Sequence, residues 1–135
     1  MKAFIVLVIF LTLSNCNSVK NTSKTSNLNN EYQVMKLQGT NVKDMLMTVK
    51  FNSDEKALNG FAGCNTFFGK FSIENNDVKF FDISSTKKYC PQGGKSKMED
   101  KFLNALSKTT KFKELDNNAM LLLNESGEEI MHLQL

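Results

Sequence analysis

From Tyr32 to the C-terminus, apolar residues recur at every second position, and only one stretch departs from that rhythm. A period of two sends alternate side chains to opposite faces of an extended strand, so most of this chain must bury one face of a sheet. Met45, Met47, Val49 and Phe51 alternate with Leu46, Thr48, Lys50 and Asn52, the pattern of a half-buried strand. Phe67, Gly69, Phe71 and Ile73 form the next apolar face, with Lys70, Ser72 and Glu74 opposite. Asn75-Asn76-Asp77 then supplies a turn into residues 78–83, which predicts a hairpin over 66–83. Three short strands are predicted over 111–115, 119–123 and 129–135, separated by Asp116-Asn117-Asn118 and Glu125-Ser126-Gly127. The exception is the segment in which Met98, Phe102, Ala105 and Leu106 recur at helical spacing behind Ser96-Lys97-Met98-Glu99, which has the form of a capping box. It predicts an amphipathic helix over 97–109. Strands, one helix, then strands joined by short polar turns define an α+β domain, a curved and mainly antiparallel β-sheet packed against a single amphipathic helix.

The side-chain inventory narrows the chemistry. The chain has 135 residues, room for one ordinary domain and not for separate cofactor and substrate halves. All 17 basic residues are Lys, His132 is the one histidine, and Trp is absent. A His-rich metal site is therefore impossible, and the commonest general base is nearly missing. Without Arg, and with a net charge of only +3 spread among acids, nucleic-acid binding is disfavoured. Composition points away from an enzyme, a metal or a cofactor.

Met1-Lys2 followed by the apolar run at 3–13 has the charged and hydrophobic regions of a secretory signal. Eleven residues are too few to span a bilayer, which needs about 20. Leu13-Ser14-Asn15-Cys16 resembles the lipobox of bacterial lipoproteins, with Asn15 in place of the usual Gly or Ala. The resemblance implies cleavage after residue 15 and acylation of Cys16; a plain secreted chain is the alternative. Residues 17–31 hold ten Asn, Ser or Thr, two Lys and two apolar residues, a composition that cannot offset the entropy of ordering, so residues 16–31 are expected to be a lipidated cysteine and flexible tether. The folded domain is expected over 32–135. With Cys16 consumed by lipid, Cys64 and Cys90 remain as a pair that an oxidising compartment would keep as a disulfide; two buried free thiols are the other reading. Neither lies in a CxxC motif.

The segment Gly60-Phe61-Ala62-Gly63-Cys64-Asn65-Thr66-Phe67-Phe68-Gly69-Lys70-Phe71 resembles the signature of the META domain, or HslJ, family of small exported bacterial proteins. The family pattern is G-x-x-G-C-N-x-F-x-G-x-Y, and here Phe71 stands at the final aromatic. Thr86-Lys87-Lys88-Tyr89-Cys90 is similar to its T-x-M-A-C element, with Lys88-Tyr89 replacing Met-Ala. Glu99-Asp100-Lys101-Phe102-Leu103-Asn104-Ala105-Leu106 matches its E-x-x-F-L-x-A-L helix. Tyr32 stands in for a Trp on the family's first strand. The resemblance covers residues 32–135 and implies an α+β fold, no established catalytic activity and a loose association with the cell envelope and stress tolerance. The expected protein is a monomeric, non-catalytic lipoprotein of the bacterial envelope, held at the outer membrane by its lipid anchor and binding or scaffolding an unknown envelope protein or ligand. A thiol-dependent enzyme or redox factor using Cys64 and Cys90 is the alternative.

Among the motif residues, Gly63, Asn65, Phe67, Gly69 and Thr86 are the candidate binding positions. Each also has a structural explanation. Glycines at 60, 63 and 69 permit positive φ or close backbone approach, and an Asn at a turn readily satisfies backbone amides. Cys64 as a nucleophile would need His132 as its base, yet alternation puts His132 opposite Met131, Leu133 and Leu135, at the surface. Lys87, Lys88, Lys95, Lys97 and Lys101 are either a basic patch for anionic headgroups or glycans or a solvated surface. Phe51, Phe67, Phe71, Phe80 and Phe102 are expected in the core.

Overall fold

In the computed structural model, residues 28–91 and 93–135 are described; the signal segment, Cys16 and the tether up to residue 27 lie outside them. The elements are β1 (Glu31–Leu37), β2 (Thr40–Asn41), a 3-10 turn (Lys43–Met45), β3 (Thr48–Asn52), β4 (Ala57–Phe61), β5 (Thr66–Glu74) and β6 (Asp77–Ser85). They continue with α1 (Gly93–Lys108), β7 (Lys111–Leu115), β8 (Ala119–Leu123) and β9 (Glu129–Gln134). Every strand pairing is antiparallel, as the alternation requires of a sheet with one buried face. The fold is α+β, a curved sheet with one helix.

The curvature runs to closure. β1 pairs with β3 at one edge and with β9 at the other, joining Val34 to Leu133 and Leu37 to Met131, so the sheet returns on itself and loses its free edges there. The ring is thin at one seam: β6 and β7 share a single register pair, Asp77 with Lys111, flanked by bonds from Val78 N to Thr110 O at 2.9 Å and from Phe112 N to Asn76 O at 3.1 Å. Toward its Ser85 end β6 has no strand on that side, and α1 packs against it instead.

Local chemistry explains the corners. Asn75-Asn76 links β5 to β6 as a two-residue turn, with Asn75 at φ 58°, a value asparagine tolerates better than most residues. Opposite Gly69, β6 carries one extra residue and Asp82 takes φ 53°, a bulge that bends the strand into the ring.

The core holds Phe51, Phe67, Phe71, Phe80 and Phe102, as expected. Phe51 packs edge-on to Phe71 at 5.5 Å and to Tyr32 at 6.0 Å, while Phe67 meets Phe102 of α1 at 5.1 Å. Such tilted and edge-to-face pairs add to the burial of apolar area.

Three boundaries differ from the sequence expectation. Leu28 and Asn29, expected in the tether, pack on the domain ahead of Tyr32: Leu28 is buried, its carbonyl accepts from Ser53 Oγ at 2.6 Å, and Asn29 Oδ1 accepts from Ser53 N at 2.8 Å. One apolar side chain and two turn-binding polar groups thus tie down residues that composition assigned to the tether. The helix begins at Gly93, so Ser96 lies within it and the expected capping box is not a cap. Met45 belongs to the 3-10 turn and Leu46, at φ 53°, interrupts the run, so the strand starts at Thr48.

Candidate functional site

The motif beginning at Gly60 builds the turn between β4 and β5, and its glycines are required by crowding. A Cβ at Gly60 would run into Thr48 O and lie 2.9 Å from Phe67 Cε1, so β3 and β4 can pair there only around glycine. Gly63 adopts φ 94°, and a Cβ would stand 2.8 Å from Met47 Cε. The turn closes with Ala62 N donating to Asn65 O at 2.8 Å.

Asn65 is the hub. Its Oδ1 accepts from Thr86 Oγ1 at 2.9 Å and from Lys88 N at 2.7 Å. Its Nδ2 donates to Glu99 at 3.0 and 3.2 Å and reaches Lys88 O at 3.5 Å, and its backbone N donates to Glu99 Oε2 at 2.9 Å. Asn65 and Glu99 are 6% and 5% exposed. One amide therefore ties together the β4–β5 turn, the segment after β6 and the buried face of α1. The buried carboxyl group of Glu99 is tolerated because both its oxygens are held by hydrogen bonds.

Glu99 is a site residue that the motif around Gly60 does not reveal. The signal was present: Glu99 precedes Phe102 by three residues and Leu106 by seven, which places a carboxylate on the apolar stripe. The capping pattern assigns that carboxylate to the helix N-terminus, whereas the structure turns it to Asn65.

Beside this hub, Cys64 and Cys90 form a disulfide across 26 residues, with Cα atoms 6.2 Å apart, within the span a disulfide bridges. The free-thiol reading is set aside in this structure. The bond fastens the hairpin to the helix entrance. Replacing both cysteines by alanine should lower stability by about 2–4 kcal/mol, mainly by freeing the unfolded chain, while Asn65, Thr86 and Glu99 preserve the fold. Urea denaturation of the variant and the parent measures the difference; an unchanged midpoint would remove the structural role.

Of the candidate residues, Gly63, Cys64, Asn65, Thr86 and Cys90 gather at this place. Phe67 lies beneath, in the core against Phe102. Gly69 sits elsewhere, between Leu58 and Ile83 opposite the β6 bulge. His132 is half-buried on β9, with Lys36 and Leu121 as cross-strand neighbours and Glu129 Oε1 at 4.0 Å from Nδ1, so it is across the ring from the β4–β5 turn. Among the described residues, no group of three or more His, Cys, Asp or Glu is arranged to hold a metal.

A concave surface of about 280 Å³ flanks the disulfide, lined by Phe61, Lys88, Tyr89, Pro91 and Lys95. Lys87, Lys97 and Lys101 are exposed as well.

These features define a closed antiparallel β-domain braced by one helix, with a disulfide-fastened loop over a buried asparagine–glutamate hub. The chain belongs to the META domain family, which matches residues 14–135. The fold is similar to an NMR structure of a Burkholderia xenovorans protein, 19% identical, covering 79% of this chain and 82% of that one with a TM-score of 0.62. A second NMR structure is 15% identical and covers 84% of this chain and 94% of its own, again with a TM-score of 0.62. No curated protein matches the chain.

Proposed function

We propose that this chain is a lipid-anchored, non-catalytic binding or scaffolding module of the bacterial envelope, monomeric, held at the outer membrane and serving envelope maintenance or stress tolerance. The observation that carries the reading is the internal use of the motif: the side-chain polar atoms of Asn65 and Thr86 are bonded to Glu99, Lys88 and each other. A catalytic constellation aims such atoms at a substrate, whereas these brace a loop. The META domain membership and the lipobox at residues 13–16 support an exported protein.

Two measurements test it. Cys16→Ser should abolish acyl labelling and release the protein from the membrane fraction, because acyl chains of about 0.8 kcal/mol per buried methylene supply the anchor. A variant that stays labelled and membrane-bound refutes the anchor. For the thiol-dependent alternative, the native protein is titrated with a disulfide reagent before and after mild reduction. A non-catalytic protein should show Cys64 and Cys90 unreactive until reduced, with no turnover of small disulfides; rapid exchange would favour the enzyme.

A further inference from the structure

We propose that the face beside the disulfide is a docking site for an acidic polypeptide segment, with Tyr89 as its aromatic anchor. The inference deepens the binding role proposed above and rests on it.

Tyr89 is 88% exposed, yet it is not on a loose loop. Lys88 on one side is bonded through its backbone N to Asn65 Oδ1 at 2.7 Å, and Cys90 on the other is locked in the disulfide. The buried hub thus holds an aromatic ring in water on a rigid base. On this anchored backbone only the two rotatable bonds of the Tyr89 side chain remain to be ordered on association, and aromatic anchors are where binding energy concentrates at interfaces. The ring borders the concavity of about 280 Å³, whose apolar walls are Phe61, Pro91 and the disulfide.

The lining selects the partner. Among the described residues its charged groups are Lys88 and Lys95 and no carboxylate lines it, so complementarity calls for negative charge. A sugar chain would ask for both donors and acceptors, whereas two ammonium groups accept nothing and one phenol is the remaining polar side chain. Apolar walls with a cationic rim suit a peptide that inserts an apolar side chain between flanking carboxylates. A bilayer presents a flat charged plane that leaves the walls of a concavity of about 280 Å³ unfilled, which favours an inserting peptide over a lipid surface.

The full-length protein in detergent micelles is titrated with a fluorescein-labelled Asp-Glu-Leu-Phe-Glu-Asp peptide and with its Asn/Gln counterpart, by fluorescence polarisation. The chain has no Trp, so Tyr89→Trp adds a single indole whose emission reports occupancy. Saturable, salt-sensitive binding of the acidic peptide is expected, with an emission shift from the indole. Tyr89→Ala should weaken binding by about tenfold, and Lys88→Gln with Lys95→Gln by a similar factor. The three positions changed here are exposed, and an unchanged melting temperature confirms that the fold is intact. Failure of the parent to bind, equal binding of the amide peptide, or indifference to Tyr89→Ala overturns the proposal. An indole response to phosphatidylglycerol vesicles or polygalacturonate without one to the acidic peptide assigns the face to those partners and equally overturns it. None of these outcomes moves the acyl labelling of Cys16 or the thiol titration, so failure of the docking site and failure of the envelope reading are distinguishable.

Discussion

Asn65→Ala should cost about 3–5 kcal/mol of folding stability, more than loss of the disulfide beside it. The reason lies in what the truncation leaves behind. Glu99, 5% exposed, would lose the two contacts from Nδ2, while Thr86 Oγ1 and Lys88 N would lose their common acceptor. Thr86 Oγ1 and Lys88 N are part-buried, and each such group left without a partner costs about 1–3 kcal/mol, while Glu99 keeps only the bond from the backbone N of residue 65. Alanine cannot be rescued by water unless the site opens, which would undo the packing of α1. Denaturant unfolding of the variant reads the cost directly; a loss below about 1 kcal/mol would show that the hub is not what holds the loop. Asn65→Asp adds a sharper test, because it sets a second carboxylate where Nδ2 now faces Glu99. Although nearly isosteric with the parent, the variant should be at least as destabilised as Asn65→Ala, and a near-parental unfolding midpoint would contradict the geometry.

What could be read from the chain follows the reach of each signal. Alternation at 66–83 and after 111 announced β5 to β9 because each strand buries one face, a fact local to the strand. β4 carries no such pattern: within Ala57–Phe61 only Leu58 is fully buried, and the strand exists because β3 and β5 pair with it on either side. Closure of the ring was equally out of reach, since the pairing of Val34 with Leu133 joins residues from the two ends of the domain. The site divides in the same way. Cys64 and Cys90 could be paired by counting, and the Gly63-Cys64-Asn65 turn by its residue types. The partner of Asn65 could not, because Glu99 lies 34 residues away and its capping pattern offered a local use for the carboxylate. Tertiary contact decided between the two uses: helix α1 starts at Gly93, which turns Glu99 inward.

The helix should prove as critical as the hub. Phe102→Ala is expected to destabilise the domain by about 3–5 kcal/mol, the range for removing a fully buried aromatic ring and leaving part of the space unfilled. Phe102 has no exposed surface and stacks edge-on to Phe67 at 5.1 Å, one of the contacts by which α1 grips the interior of the sheet. The consequence should be uneven across the molecule. At the β5–β6 turn end the ring is held by Asp77 and Lys111, and its core there is Phe51, Phe71 and Phe80, none of which contacts the lost ring by stacking. Toward Ser85, β6 depends on α1 for its cover, and Glu99 sits one turn of helix before Phe102. Loosening the helix should therefore free β6 near residues 83–85 and the loop at 86–91 before the rest opens. Native-state hydrogen exchange on Phe102→Ala should show protection falling first at Thr86 and Lys88, whose amides bond to Thr66 O and Asn65 Oδ1, while β8 and β9 keep theirs up to global unfolding. Uniform loss of protection across all strands would mean that the helix and the ring open as one unit, and that the seam between β6 and β7 is not a line of weakness.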